Sequence, residues 1–234
     1  MRLPDSPSLL FLAYVLVLLP WLAFRSGRKM KAAMAGQVPV TKHSREAVWY
    51  STIVTQCCML VLAWIVGRDF DYEIFALPKL LPSYIAAAFG ALAALFVFRA
   101  LARATRSDDE RRKMVVYFLA PRTAREWQLK TVTVLIACIN EEATYRGVAF
   151  SILWYSTESA LIAVLLCSIA FALAHWVQGW KSMLVIFGIA LVMHALVLYT
   201  QTLVLAMVVH AIYDFVAIYL IWKESLRLNL NIPA

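Results

Sequence analysis

Three short segments of this 234-residue sequence set acids, histidines and one arginine at helical spacing. They are Asn140-Glu141-Glu142-Ala143-Thr144-Tyr145-Arg146-Gly147, Phe171-Ala172-Leu173-Ala174-His175 and His210-Ala211-Ile212-Tyr213-Asp214. Glu142 and Arg146, Phe171 and His175, and His210 and Asp214 each stand at i, i+4, so each pair shares a helix face. Glu142 and Arg146 can therefore pair as ions. Glu141, about 100° round a 3.6-residue turn, is left outside that pair and free to face a cavity. A carboxylate beside an imidazole, as Asp214 is beside His210, fixes the tautomer and makes a better base or ligand. Residues of these types can do acid–base catalysis or hold a metal. The bland alternative is that Glu141, Glu142 and Arg146 only lock two helices together, as buried ion pairs can. His175 alone would read as an ordinary packing residue.

Charge separates the two readings. Three acids against one arginine leave two excess negative charges if every acid ionises and both histidines are neutral. A low-dielectric interior does not tolerate that excess. A protonated acid, a protonated histidine or a bound cation has to compensate. Each remedy is an acid–base or metal device, so the constellation as a whole outweighs packing.

The elements that must position these residues are membrane spans. The chain is 63% hydrophobic and only 15% charged, against about 45–50% and about 25% in soluble domains. Its apolar runs are long and continuous, without the period-2 alternation of a barrel. A crossing helix needs about 20 apolar residues, and seven runs qualify: roughly 7–24, 46–66, 82–99, 125–153, 159–176, 182–199 and 202–222. The fold class expected is all-α, a polytopic transmembrane bundle of about seven spans. The first run is followed by Arg25, Arg28, Lys29 and Lys31, the reverse of a cleavable signal peptide, and reads as an uncleaved anchor.

The loops set an orientation. Basic residues crowd 25–45 and the stretch Arg99–Arg125, then recur at Lys181, Lys223 and Arg227, while 67–81 carries Asp69, Asp71 and Glu73. Every basic segment falls on one side, which places the N-terminus outside and the C-terminus in the cytoplasm. The chain then divides into N-terminal spans (1–105), a basic, amphipathic cytoplasmic loop (106–124), a core (125–222) and a cytoplasmic tail (223–234). Within the loop, Arg106–Lys113 alternates basic and acidic residues before the apolar Met114–Leu119, so the segment is either a solvated linker or, the favoured reading, an amphipathic helix in the interface. The net charge of +8 points to anionic lipid headgroups, with no nucleic-acid partner.

A long fourth helix puts Glu141 near mid-membrane, level with His210, and His175 lies toward the cytoplasmic end of its span. One cavity opening to the cytoplasm accommodates all three. The remaining candidates read blandly: His194 as packing, His43 as solvated, and Cys57, Cys58, Cys138 and Cys167 as small packing residues. Trp176 and Trp180 read as interfacial anchors or as the lining of a substrate entrance.

The motifs E-E-x-x-x-R, F-x-x-x-H and H-x-x-x-D resemble the CAAX-protease and bacteriocin-processing family (CPBP or Abi), which includes the type II CAAX prenyl endopeptidases. The likeness runs from about Pro121 to Phe215 and includes the lead-in Pro121-Arg122-Thr123-Ala124-Arg125-Glu126. It implies an intramembrane endopeptidase acting on prenylated C-terminal, bacteriocin-type or membrane-protein substrates. Glu141 would activate a water, His175 would help hold it, and His210 would stabilise the oxyanion. Asp214 stands where the prenyl proteases have asparagine; ionised, it cannot donate to an oxyanion, so its implied role is to orient His210. Glu142 and Arg146 are the implied structural ion pair, and Phe171 packs the motif. The resemblance fixes no cofactor; zinc is a possible one, since Glu141, His175 and His210 would make a plausible zinc triad with one open position. The rival functions are a non-enzymatic immunity or scaffold protein with the same polar cluster and a proton-coupled transporter. Against transport, the spans show no repeated halves.

Overall fold

A computed structural model describes residues 4–34, 42–68, 73–117 and 120–227, and the apolar runs among them are helices. The first is α1 (Ser6–Ala13), which runs through a π turn (Tyr14–Leu18) into α2 (Leu19–Met34). The Asp5 side chain caps it, accepting from the Ser8 N–H at 3.0 Å. The widened turn lies just ahead of Pro20, whose ring and missing N–H disturb a regular α turn. Next come α3 (Lys42–Gly67) and α4 (Pro82–Ala104), with proline in the first turn of α4, where no N–H is needed.

The basic loop contains α5 (Asp108–Tyr117). Its start is a reciprocal cap: the Glu110 N–H donates to Ser107 Oγ at 3.3 Å, and the Ser107 N–H to Glu110 Oε2 at 2.9 Å. Phe118 and Leu119, and the side chains of 113–117, lie outside the described residues, as does that of His43. The expected interfacial segment is thus described only as backbone up to Tyr117, and α5 packs against α2 and α10.

The core begins with α6 (Ala124–Glu141), continues through a second π turn (Glu142–Val148) into α7 (Ala149–Thr157), and turns back at Glu158, φ +55°. It ends with α8 (Ala160–Ala174), α9 (Trp180–Thr200) and α10 (Leu203–Arg227). Gly179, at φ +87°, makes the corner before α9 that a side chain would strain. α3 lies along α6, α4 along α9, α8 between α7 and α9, and α10 against both α4 and α6. Every residue of the second π turn is buried, and α3, α8 and α10 all touch it.

Large apolar side chains cover the outside instead: Leu10 is 72% exposed, Phe89 69% and Leu184 64%. Lipid is the medium that accepts such a surface. Among the described residues, five helical runs are long and apolar enough to cross a membrane: Ser6–Lys29, Arg45–Gly67, Pro82–Ala104, Trp180–Thr200 and Leu203–Arg227. The chain is an integral, multi-pass, all-helical membrane protein. The two other expected spans do not meet this test: Ala160–Ala174 is short, and α6 to α7 carries Lys130, Glu141, Glu142 and Arg146.

A buried ion pair fixes the start of α6. Arg45 Nε and Nη2 each donate to Glu126 at 3.0 Å, Nη2 also reaches Ala120 O, and both side chains are 3% exposed. Arg45→Ala leaves that carboxylate buried without its cation, an expected loss of about 3 kcal/mol. The readout is the thermal midpoint in detergent, with recovery expected when Glu126 is also replaced by leucine; an unchanged midpoint in the single variant contradicts the assignment.

Candidate active site

The diacid sits where α6 gives way to the π turn. Such turns add one residue to a helical circuit and are frequent at functional sites. Glu142 is 0% exposed and Arg146 1%, whereas Glu141 keeps 16% of its side chain open. Glu142 Oε1 lies 3.3 Å from Arg146 Nη1 and 2.8 Å from His210 Nδ1. One carboxylate oxygen therefore serves two cationic or donor groups from two helices. Glu142 Oε2 and the guanidinium nitrogens of Arg146 have no aligned hydrogen-bond partner, so charge rather than a directed hydrogen bond joins the Glu142–Arg146 pair. The guanidinium also rests on the Phe171 ring, 4.3 Å from its centroid.

An ionised carboxylate can only accept, so His210 Nδ1 donates to Glu142 and Nε2 is the nitrogen left facing the acids. Nε2 is 3.9 Å from Glu141 Oε2 and 3.9 Å from Asp214 Oδ2. The sequence reading gave Asp214 the task of orienting His210. The close contact belongs to Glu142, which reaches across from another helix, while Asp214 stands on the far side of the ring and is 33% exposed. His175 terminates α8, and its Nδ1 donates to Phe171 O at 2.7 Å, with the two rings 4.6 Å apart.

Glu141, His175, His210 and Asp214 all line one cavity of about 240 Å³, which Glu142 and Arg146 do not reach. Glu141 has a neighbour that the sequence reading did not single out. Gln56, on α3, donates from Nε2 to Glu141 Oε1 at 3.4 Å and accepts at Oε1 from Asn140 Nδ2. Thr144 Oγ1 in turn donates to Asn140 Oδ1 at 3.0 Å. The signal was there: an amide within an apolar run needs a partner. Lys130 and Arg99 also line the cavity.

Among the described residues, the group whose ligand atoms lie within 4.8 Å of one another is Cys138, His210 and Asp214, not the expected Glu141, His175 and His210. Cys138 Sγ points to Asp214 Oδ2 at 4.0 Å as a thiol donor. These residues do not fit the expected triad, and no step below passes through a metal. His194 is 2% exposed against the Phe150 ring, a packing position. Trp176 packs on Phe24, and Trp180 is largely exposed. The four cysteines are free.

Residues 123–216 match the family model of the type II CAAX prenyl endopeptidases, Rce1-like. This stretch is therefore similar to that family. Comparison with curated proteins and with solved structures gave no match. The matched stretch contains every acid, histidine and arginine of the cluster, but Gln56 and Arg99 lie before it. The chain is thus an integral membrane protein in which residues 123–216 are similar to a family of proteases.

Proposed function

We propose that the protein is an intramembrane endopeptidase in which Glu141 is the general base. The observation that carries this is the division between the two glutamates. Glu142 is sealed in with Arg146 and His210, while Glu141 opens to the cavity 3.9 Å from His210 Nε2. Water beside Glu141 gives it a proton and attacks the carbonyl of a peptide lying between Glu141 and His210. His210 stabilises the resulting oxyanion. With Nδ1 committed to Glu142, it can donate from Nε2 only when doubly protonated. Collapse of the tetrahedral intermediate breaks the C–N bond, and Glu141 passes its proton to the leaving amine. His175, held at Nδ1 by Phe171 O, turns its other nitrogen to the water, and Asp214 places a negative charge near the imidazolium.

The family likeness supports prenylated C-terminal peptides, bacteriocin-type precursors or membrane proteins as substrates, reached among membrane lipids. The basic loops support an orientation with the N-terminus outside, the C-terminus in the cytoplasm and the cavity mouth on the cytoplasmic side. Terminal proteomics on membranes expressing the wild type or Glu141→Ala tests the reading, with a cleaved terminus expected only in the former.

Gln56 supports the base. Gln56→Leu removes the donor to Glu141 and leaves Asn140 without its acceptor. A misplaced reacting group costs up to about 10²-fold, so kcat is expected to fall roughly ten- to hundredfold with KM little changed. Unaltered turnover in this variant would show that Glu141 needs no such support.

A further inference from the structure

The cavity is more basic than its catalytic end requires. On the α4 side it is lined by Arg99, Arg103, Arg106 and Arg111. Two of these are matched by acids: Arg103 meets Glu224 at 3.3 Å and Arg111 meets Asp108 at 3.2 Å. Arg99 and Arg106 are not. Arg99 donates to Ala217 O at 3.4 Å and reaches the Tyr213 hydroxyl. Arg106 donates to Ser182 Oγ at 2.7 Å. Among the described residues neither guanidinium has a carboxylate within ion-pair distance, and both are only half-exposed. Burial, and then the charge of Arg99, hold Arg106 below the usual arginine range. The Arg111 Nε beside them is buried without a partner.

Two like charges half-withdrawn from water, facing one cavity, are costly unless an anion joins them. We propose that Arg99 and Arg106 form an oxyanion subsite that takes a carboxylate or phosphate of the molecule bound in the cavity. The reading rests on the cavity being the substrate site. Arg99 contacts α10 at Ala217, two turns or about 10 Å along the helix from His210, so one ligand can span both. Guanidinium suits this task because its planar fork matches a two-oxygen acceptor. Both arginines lie before the Rce1-like stretch, so this recognition would be supplied by the N-terminal spans.

The test is binding, measured in the Glu141→Gln background, so that no turnover is needed. The probes are a dansyl-labelled apolar tetrapeptide with a free C-terminal carboxylate and the same peptide as its amide, in phosphatidylcholine nanodiscs. The acid is expected to bind roughly tenfold more tightly, as charge-assisted hydrogen bonds imply. Arg99→Gln with Arg106→Gln should erase that preference, and the single Arg106→Glu variant should favour the amide. Displacement of the acid by phosphatidylglycerol would identify a headgroup phosphate as the natural occupant; no displacement would identify a carboxylate. Equal binding of acid and amide overturns the subsite, as does a preference that survives in the folded double variant. If the preference is seen but the wild type cleaves nothing, the peptidase reading fails and the subsite stands.

Discussion

Glu141→Gln is expected to lower turnover by about 10²–10⁴-fold, the contribution of a positioned general base, while leaving the fold intact. Glutamine has the same shape but cannot take a proton from water. The fold should survive because Glu141 carries little structural duty. Its neighbours are loose, Gln56 at 3.4 Å and His210 at 3.9 Å, and its side chain opens to the cavity. Removing a carboxylate from a cavity shared with Asp214 also relieves like-charge repulsion. The thermal midpoint should therefore hold or rise as cleavage disappears, which separates a chemical defect from a folding one. Cleavage at the wild-type rate would remove Glu141 from the mechanism. Loss of both activity and midpoint would show that Glu141, not only Glu142, holds the helices.

The local part of this arrangement was legible in the sequence. Apolar runs gave the helices, and i, i+4 spacing brought together Glu142 with Arg146 and Phe171 with His175. What the spacing could not show was non-local. The nearest partner of His210 is not Asp214, one turn away, but Glu142, 68 positions earlier. A rule based on one helix cannot see a carboxylate arriving from another. The π turn was equally hidden, since no proline in or near Glu142–Val148 marks it, yet it makes the diacid a junction rather than the middle of a regular helix. The zinc triad failed for the same reason. Three motifs can converge on one cavity without bringing their ligand atoms within reach of one ion. Gln56 was visible as a polar residue in a span, but its target, Glu141, lies on a helix 85 residues later in the chain.

Arg146→Ala should damage stability more than any other single change in the cluster. The arginine is 1% exposed, neutralises a wholly buried Glu142 and rests on the Phe171 ring. Removing one member of such a pair typically costs about 3–5 kcal/mol, because the other charge stays buried. Here the cost is tempered by His210, which keeps its 2.8 Å contact with the same Glu142 oxygen. Arg146→Lys should fall between alanine and wild type, since it keeps the charge but loses the flat face against Phe171. Pairing Arg146→Met with Glu142→Gln should restore much of the midpoint, because no unpaired ion is left. It should not restore activity, since a neutral amide cannot hold the doubly protonated His210 as a carboxylate does. Detergent-solubilised yield and thermal midpoint read the first effect, and turnover reads the second. A normal midpoint in Arg146→Ala would mean that His210 alone balances Glu142, and that the arginine is not what holds this junction together.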